Sequence, residues 1–313
     1  MRVYITGAIG FVGGWLQAEL RNNGHTVVPA PGPDQLDITD RAGLARWLDG
    51  PEGRPDAIVH LAGMAFAPDA KTDPSEAFRV NAGGTVALFE ALRHVGIRPA
   101  VLVVGSSEVY GSPRAEDLPL REDSAIDPVH PYAMSKIAEE AVAIEASVRY
   151  GFPVVVTRSF NHAGPGQRPV FVVPAMARRV VAIQRGEASC VHAGNVDVRR
   201  DLTDVRDIVR AYRLLIERTA ATSADKSAAE PAAAIVVNVA SGEAVSIRAL
   251  IADLCGLAGV PVKIEVDPAL VRADDPPEIR GDATLLTQLT GWRPEIPLHQ
   301  TLSDVLAEAA QSR

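Results

Sequence analysis

Three glycines placed directly after the first apolar segment constrain the fold of this chain most strongly. Residues 2–6 form a short, mostly apolar run, and Gly7, Gly10 and Gly13 follow it at intervals of three residues. The run predicts a β-strand, and the apolar spacing up to Leu20 predicts a helix after the glycines. Such a turn lets backbone approach a pyrophosphate, and the helix N-terminus adds free N–H groups and a positive dipole end. The order of strand, glycine turn and helix therefore predicts a dinucleotide site, and the missing P-loop lysine disfavours a nucleotide triphosphatase.

Short apolar segments alternate with helical patterns through the first half of the chain. Strands are predicted at residues 2–6, 26–29, 56–61, 100–104 and 153–157, and helices at residues 74–95 and 131–150. Pro131 suits a first helical turn, where its missing N–H costs nothing. Buried strands that alternate with helices form parallel sheets covered on both faces. The pattern therefore predicts an α/β fold with a Rossmann-type, doubly wound parallel sheet.

The second half of the chain has a less regular pattern. It predicts helices at residues 171–185, 205–218 and 247–257, and a strand at residues 235–239. We expect residues 1–160 to form a dinucleotide-binding domain, to which later segments such as 190–218 and 235–240 could return. Residues 161–313 are expected to form mainly a smaller C-terminal α/β substrate-binding domain. Residues 219–234 are rich in Ala, Ser and Thr, which predicts a flexible surface insertion.

The charge balance and the cysteines restrict the partners and the location. The 31 basic residues are outnumbered by 39 acidic residues, which gives a net charge of −8. Such a balance argues against a broad nucleic-acid surface and against a basic membrane patch. Cys190 and Cys255 are far apart and outside any CxxC pattern, so we expect reduced core residues and no metal site. We see no signal-peptide or membrane-spanning pattern and expect a cytoplasmic location.

A candidate acid/base pair lies in the predicted helix of residues 131–150. Tyr132 and Lys136 are four residues apart, so on a helix they share one face. A lysine ammonium beside a phenol favours the phenolate. It is expected to lower the pKa of the tyrosine toward the working pH, where an acid/base group is most useful. Because this spacing also occurs on many solvated helices, the pair alone does not establish an active site.

Taken together, the motifs resemble those of the extended short-chain dehydrogenase/reductase family, and the match runs nearly end to end. His-Leu-Ala-Gly at residues 60–63 is similar to the family's third-strand motif, and Val-Asn-Ala-Gly at residues 80–83 to its helix-borne Asn motif. Gly-Ser-Ser-Glu-Val-Tyr-Gly at residues 105–111 is similar to its strand-four motif. The resemblance implies that Tyr132 transfers the proton, that Ser106 hydrogen-bonds the same oxygen, and that Lys136 holds the nicotinamide ribose.

The same resemblance implies NADPH or NADH as the cofactor. Cofactor contacts are implied for the glycine turn, the third-strand motif and the catalytic pair, namely Gly7, Gly10, Phe11, Val12, Gly13, Asp37, Leu61, Ala62, Gly63, Asn81, Tyr132 and Lys136. An NAD site would place an acid at the end of the second strand, and an NADP site would place an arginine there. Pro-Ala-Pro-Gly-Pro-Asp at residues 29–34 offers neither at that point, so the choice between the two forms stays open.

The second half resembles one group within the family. Residues 158–167 are similar to the substrate segment of GDP-4-keto-6-deoxy-D-mannose reductases, and residues 194–201 to a segment that these share with GDP-mannose 4,6-dehydratases. Residues 272–276 resemble an Arg-Pro-x-Asp motif, with Ala273 in place of the proline. The resemblance implies reduction of a GDP-linked 4-keto sugar to GDP-D-rhamnose by a homodimer that packs helices 74–95 and 131–150. Substrate contacts are implied for Ser107, Glu108, Asn161, Val172, Val173, Arg200 and Arg272.

Glu108 leaves the type of reaction open and is also a catalytic candidate. In sugar-nucleotide 4,6-dehydratases an acid at this position removes the C5 proton before water leaves C6, but reductases of this group also carry an acid here. The alternative is therefore a GDP-mannose 4,6-dehydratase, or another sugar-nucleotide dehydratase or epimerase. A non-catalytic dinucleotide sensor would have the same fold, but the intact Ser106, Tyr132 and Lys136 argue against it.

Overall fold

The computed structural model describes residues 1–224, 234–271 and 275–311. Its strands are β1 Arg2–Thr6, β2 Thr26–Pro29, β3 Ala57–His60, β4 Ala100–Ser106, β5 Val154–Ser159, β6 Asn161–Ala163, β7 Val191–Ala193, β8 Arg199–Asp204, β9 Ile235–Val239, β10 Ala244–Ser246, β11 Ile264–Val266 and β12 Glu278–Ile279. Its α-helices are α1 Phe11–Asn22, α2 Arg41–Leu48, α3 Ala67–Thr72, α4 Pro74–Phe78, α5 Gly84–Val95, α6 Pro131–Tyr150, α7 Val172–Gln184, α8 Val205–Ala224, α9 Ile247–Ala258, α10 Thr284–Thr290 and α11 Leu298–Gln311.

A six-stranded parallel sheet in the order β2-β1-β3-β4-β5-β9 forms the centre of the molecule. Successive side chains of a strand point to opposite faces. Val3 and Ile5 pack on one face with α1 and α8. Tyr4 packs on the other face with α2, α5 and α6. The predicted Rossmann-type doubly wound sheet is therefore confirmed.

The chain leaves β1 toward β2 on one side and returns to β3 on the other. The order of the strands therefore reverses between β1 and β3. At such a reversal the connections on the two sides diverge, and a crevice opens at the carboxyl ends of the strands. The phosphate-binding turn, residues 6–13, begins at the end of β1 and leads into α1. The motifs that follow β3 and β4 lie at the same edge of the sheet, because the strands are parallel.

A second hydrophobic core stands beside the central sheet. It joins α7, α9 and α11 to β7 and β8 through buried residues that include Val180, Leu250 and Leu302. Small sheets complete this part: β10-β8-β12 with β6 paired to β8, and β11 paired to β7. These strands are only two to six residues long, which explains why the sequence pattern did not predict them.

Several predicted boundaries differ from the structure. The helix predicted at residues 74–95 is divided into α4 and α5 by a π-helical turn at Arg79–Gly83. Helix α8 continues to Ala224, so the first residues of the predicted insertion 219–234 are helical, and residues 225–233 lie outside the described residues. Helix α8 and strand β9 pack with the central sheet, whereas β7 and β8 belong to the second core.

Within the described ranges, no helix combines the length and the apolar character needed to cross a membrane.

A buried ion pair fixes α6 against the central sheet. Arg158 of β5 donates to both carboxylate oxygens of Glu140 in α6, at 3.0 and 2.6 Å. Its remaining guanidinium nitrogen donates to the Glu122 carbonyl oxygen at 3.0 Å and to the Tyr110 hydroxyl at 3.1 Å. The Arg158 and Glu140 side chains are only 4% and 6% exposed. A buried charge is tolerated only when it is paired and hydrogen-bonded, so this pair restricts how α6 can dock.

Glu140→Gln is expected to lower the free energy of unfolding by about 3–5 kcal/mol, because it leaves the buried Arg158 charge uncompensated. Urea unfolding followed by circular dichroism measures the change. Glu145→Gln is the matched control on the same helix. Its pair with Arg149 is exposed, so its loss is expected to cost at most about 1 kcal/mol. Equal losses in the two variants would contradict this account of α6 docking.

Candidate active site

A cleft of about 1300 Å³ separates the central sheet from the second core. Its walls include the phosphate-binding turn, the loop after β3, the end of β4, the start of α6 and the segment before α7. Pockets for drug-sized ligands usually occupy roughly 300–1,000 Å³. The larger volume suits two ligands of nucleotide size that meet end to end.

Glycine is required at both ends of the phosphate-binding turn. Gly7 has φ +67°, and a Cβ on it would lie 2.7 Å from the backbone nitrogen of Ala62. A Cβ on Gly13 would lie 2.4 Å from the Gly7 carbonyl oxygen. Gly10 is the N-cap of α1 without a side-chain cap, and the first turn carries no acidic residue. The N–H groups and the positive dipole end are therefore available to an anion, which fits the diphosphate of a nicotinamide dinucleotide.

A buried hydrogen-bond chain fixes the loop after β3. Thr6 Oγ1 and His60 Nδ1 lie 2.8 Å apart, and the Ala62 N–H donates to Thr6 Oγ1 at 3.2 Å. Burial lowers the pKa of His60 to about 3, and the Lys136 ammonium adds to this effect, so the ring is neutral. These hydrogen bonds hold residues 61–63 on the cleft wall, where the sequence predicts cofactor contacts.

Asn81 is fully buried in the π-helical turn. Its Oδ1 accepts a hydrogen bond from the Met64 N–H at 2.7 Å, and its Nδ2 donates to Ser135 Oγ at 2.9 Å. These bonds tie the loop after β3 to α6. Asn81 therefore positions this loop, and the cofactor contact that the sequence predicts for it stays a prediction.

Asp37 lies on the cleft wall, within the loop that follows β2. Its Oδ1 accepts hydrogen bonds from the Thr39 N–H and hydroxyl, both at 2.9 Å, and its Oδ2 accepts one from Arg79 at 2.9 Å. Hydrogen bonds from Thr39, and then from Arg79, hold the pKa of this carboxyl below its usual range. Arg79 also binds Glu76 at 2.7 Å. An ionised carboxylate thus lies on the cleft wall at a residue for which a cofactor contact is predicted.

The predicted catalytic residues converge at the centre of the cleft. Ser106 ends β4, while Tyr132 and Lys136 lie one turn apart near the start of α6, and all three line the cleft. Lys136 Nζ donates to the Val104 carbonyl oxygen at 2.9 Å and to Glu139 Oε2 at 2.6 Å. The ammonium is therefore held in place while its side chain is only 7% exposed.

The pKa of Tyr132 is raised, which corrects the lowering expected from the sequence. Burial raises it most, the Lys136 ammonium and the Ser106 hydroxyl lower it by less, and the Glu108 and Glu139 carboxylates add to the rise. The spacing of Tyr132 and Lys136 indicates the nearby ammonium, whereas the loss of water around the phenol is a property of the fold. A tyrosine with a raised pKa is protonated near neutral pH and can donate a proton.

Of the residues predicted to bind substrate, Ser107, Glu108 and Asn161 line the cleft. Val172 is partly buried at the cleft, whereas the Val173 side chain is only 1% exposed and packs in the second core. Both valines line the cleft, and their contact with substrate stays a prediction.

Arg200 lines the cleft, but its guanidinium already has partners. It forms an ion pair with Asp275 and donates to the Pro276 carbonyl oxygen at 2.9 Å. Its side chain is 11% exposed. Arg272, also predicted to contact the substrate, lies outside the described residues.

The sequence reasoning missed three residues of the site. Glu139 holds Lys136, His130 binds Glu108 at 2.6 Å, and the cleft-lining Tyr212 shares a 2.7 Å hydrogen bond with Ser159. Glu139 stands three residues after Lys136, a helical spacing that could have indicated it. His130 stands at the N-cap position before Pro131, where a polar side chain is a signal.

Among the residues that the structure describes, one cluster with metal-ligand chemistry lies outside the cleft. Cys190, His192 and Glu265 bring their ligand atoms within 4.8 Å of one another on the paired strands β7 and β11. The sequence had predicted no such cluster, because Glu265 joins it only through the pairing of distant strands. Both cysteines are free and buried, as expected.

Gly13→Ala is expected to abolish dinucleotide binding and to lower the melting temperature, because the new Cβ would contact the Gly7 carbonyl oxygen. Gly14→Ala is the matched control, since a Cβ at Gly14 meets no atom within 4 Å. It is expected to bind normally and to melt at the same or a higher temperature, as alanine favours helix. Fluorescence titration with NADPH and thermal unfolding measure both effects. Normal binding by the Gly13 variant would contradict the assigned role of the turn.

Comparison with known proteins places the chain among sugar-nucleotide enzymes. The family model of GDP-mannose 4,6 dehydratase matches residues 34–305. GDP-6-deoxy-D-mannose reductase from Pseudomonas aeruginosa is 36% identical over 98% of this chain and 96% of the relative. GDP-mannose 4,6-dehydratase from Vibrio cholerae is 28% identical over 88% of this chain and 79% of the relative.

Solved structures agree with this placement. The structure of RMD from Pseudomonas aeruginosa complexed with NADPH matches with a TM-score of 0.87 and 34% identity, over 99% of this chain and 98% of the other. UDP-glucose 4-epimerase from Thermus thermophilus in complex with NAD matches with a TM-score of 0.83 and 25% identity, over 100% of both chains. The chain therefore belongs to the GDP-mannose 4,6 dehydratase family, within the nicotinamide-dependent extended short-chain dehydrogenases/reductases of the epimerase/dehydratase type.

Proposed function

We propose that this protein reduces the C4 ketone of GDP-4-keto-6-deoxy-D-mannose to give GDP-D-rhamnose. The observation that carries the proposal is the convergence of Ser106, Tyr132 and Lys136 in one cleft that continues to the phosphate-binding turn. The full-length similarity to the Pseudomonas reductase supports this reaction over the other activities of the family. NADH or NADPH, when bound, supplies the hydride for this reduction.

The chain's own residues provide the proton and the stabilisation of charge. The Tyr132 phenol donates its proton to the sugar oxygen as negative charge develops there, which yields the alcohol. The Ser106 hydroxyl donates a hydrogen bond to the same oxygen. The Lys136 ammonium stabilises the phenolate that remains, and Glu139 and the Val104 carbonyl oxygen keep the ammonium in position.

The protein is expected to oxidise one equivalent of NADH or NADPH for each equivalent of GDP-4-keto-6-deoxy-D-mannose, and chromatography should detect GDP-D-rhamnose. Tyr132→Phe removes the proton donor and is expected to lower kcat by about 10²–10⁴-fold with cofactor binding retained. Tyr150→Phe, at the other end of α6, is the control and should behave as the wild type. Turnover without consumption of reduced cofactor would overturn the proposal.

The dehydratase activity is the second candidate, because Glu108 lines the same cleft as Tyr132. A dehydratase returns the hydride to its own product, so it converts GDP-mannose without added NADH or NADPH. Formation of a 4-keto product under those conditions would favour this candidate. Tight cofactor binding with no turnover of any nucleotide sugar would favour a dinucleotide sensor.

The two hydrophobic cores suggest that different parts of the chain bind the cofactor and the nucleotide sugar. We infer that residues 1–160, together with α8 and β9, bind the cofactor, since they build or cover the central sheet. Most of the remaining chain forms the second core and would bind the nucleotide sugar. The two free, buried cysteines suit a reducing cytoplasmic compartment.

We infer a homodimer that packs α4, α5 and α6 against the same helices of a second copy. Large apolar side chains are exposed on these adjacent helices: Phe78 40%, Val86 40%, Met134 42% and Val148 75%. A surface of this kind on neighbouring helices suits a self-complementary, two-fold contact.

Val148→Asp is expected to convert the dimer into a monomer, because it places a charge in the apolar contact. Val262→Asp is the control: Val262 is also exposed, at 55%, but lies outside these helices. Light scattering coupled to size-exclusion chromatography measures the mass of each variant. A monomeric wild type, or a dimer that survives Val148→Asp, would contradict the inferred interface.

A further inference from the structure

His130 connects the start of α6 to Glu108, which lies two residues after the end of β4. Its backbone forms the N-cap of α6, and its Nδ1 accepts a hydrogen bond from the Ala133 N–H at 3.2 Å. Its Nε2 lies 2.6 Å from Glu108 Oε2. One ring therefore contacts both the helix that carries Tyr132 and a carboxylate that lines the cleft.

The two contacts determine the tautomer of the ring. A backbone N–H can only donate, so Nδ1 must offer its lone pair and the proton must be on Nε2. The Nε2–H then donates to the Glu108 carboxylate, which is a charge-assisted hydrogen bond. Both ring nitrogens have a partner only in this arrangement.

The ring is held more firmly than the carboxylate that it binds. The His130 side chain is 11% exposed, while the Glu108 side chain is 42% exposed. Pro131, the next residue, has a restricted φ, and the imidazole stacks near Tyr132 with ring centres 6.2 Å apart and planes 12° apart. A half-exposed glutamate without this partner would sample several rotamers in water.

We infer that His130 is a positioning residue that fixes the Glu108 carboxylate toward the sugar while it caps the helix bearing Tyr132. Within the described residues, Oε2 of Glu108 takes the bond from His130, which leaves Oε1 to accept a hydrogen bond from a sugar hydroxyl. The position of the proton donor and that of the sugar are thereby set by one side chain. This inference rests on the proposed function for its substrate, but its geometry does not depend on the identity of that substrate.

Glu108 also acts on Tyr132 through charge. Among the groups around the phenol, the Glu108 and Glu139 carboxylates raise its pKa, whereas the Lys136 ammonium and the Ser106 hydroxyl lower it. A Glu108 side chain that moves away into water should have a weaker effect on the phenol. This provides a readout that requires no substrate.

His130→Asn separates the two roles of the histidine. Asparagine is among the best N-cap residues, so the helix cap and the melting temperature should be kept, but its side chain is too short to reach Glu108. We expect kcat/KM to fall about tenfold, chiefly through a higher KM for the nucleotide sugar, with the KM for NADH or NADPH unchanged. His299→Asn, at an exposed position of α11, is the matched control and should match the wild type.

Glu108→Gln and the double variant complete a cycle. If His130 acts through Glu108, the double variant should lose no more than the larger single variant. Ultraviolet titration of the phenol, with Tyr132→Phe as the reference, should show a lower pKa for Tyr132 in both single variants and no additive shift in the double. Wild-type kinetics and titration in His130→Asn, or additive effects in the double variant, would overturn the inference. If the wild type fails to reduce the keto sugar, the proposed function fails, and the titration still decides the role of His130.

Discussion

The arrangement of the site depends on how α6 docks against the central sheet. Two successive carboxylates of this helix, Glu139 and Glu140, are only 1% and 5% exposed. Burying a charge is costly unless an opposite charge and hydrogen bonds compensate for it. Glu139 is compensated by Lys136 of the same helix, and Glu140 by Arg158 of β5. A rotation of α6 would separate the Glu140 pair, so the helix has one favourable orientation, which directs Tyr132 and Lys136 into the cleft.

The remaining parts of the site converge on this helix because parallel strands end at one edge of the sheet. The phosphate-binding turn follows β1, the loop after β3 is fixed by Thr6 and His60, and Ser106 ends β4. Asn81 links the loop after β3 to Ser135 of α6, and His130 links α6 to Glu108. The proton donor, its hydrogen-bonding neighbour and the inferred sugar contact are thus held by hydrogen bonds between elements rather than by loops alone.

Sequence reasoning succeeded where the signal was local. The glycine turn and the strands of the central sheet each produce a pattern within about ten residues, and they were predicted near their actual bounds. It did not predict side-chain pairs whose partners lie far apart along the chain. These pairs are Glu108 with His130, Arg200 with Asp275, and Arg158 with Glu140. The raised pKa of Tyr132 was also not predicted, because burial depends on the fold and not on the spacing of Tyr132 and Lys136. The short strands of the second core are stabilised by their neighbours and give little pattern of their own.

In the proposed reaction, a hydride passes from the nicotinamide to C4 of a keto sugar bound in the cleft, and Tyr132 supplies the proton. The most direct measurement uses a cofactor deuterated at the nicotinamide carbon that donates the hydride, followed by nuclear magnetic resonance of the GDP-sugar product. The account predicts deuterium at C4 of the product and none at the other sugar carbons. Product that forms with no deuterium at C4, or with hydrogen moved within the sugar from C4 to C6, would contradict it.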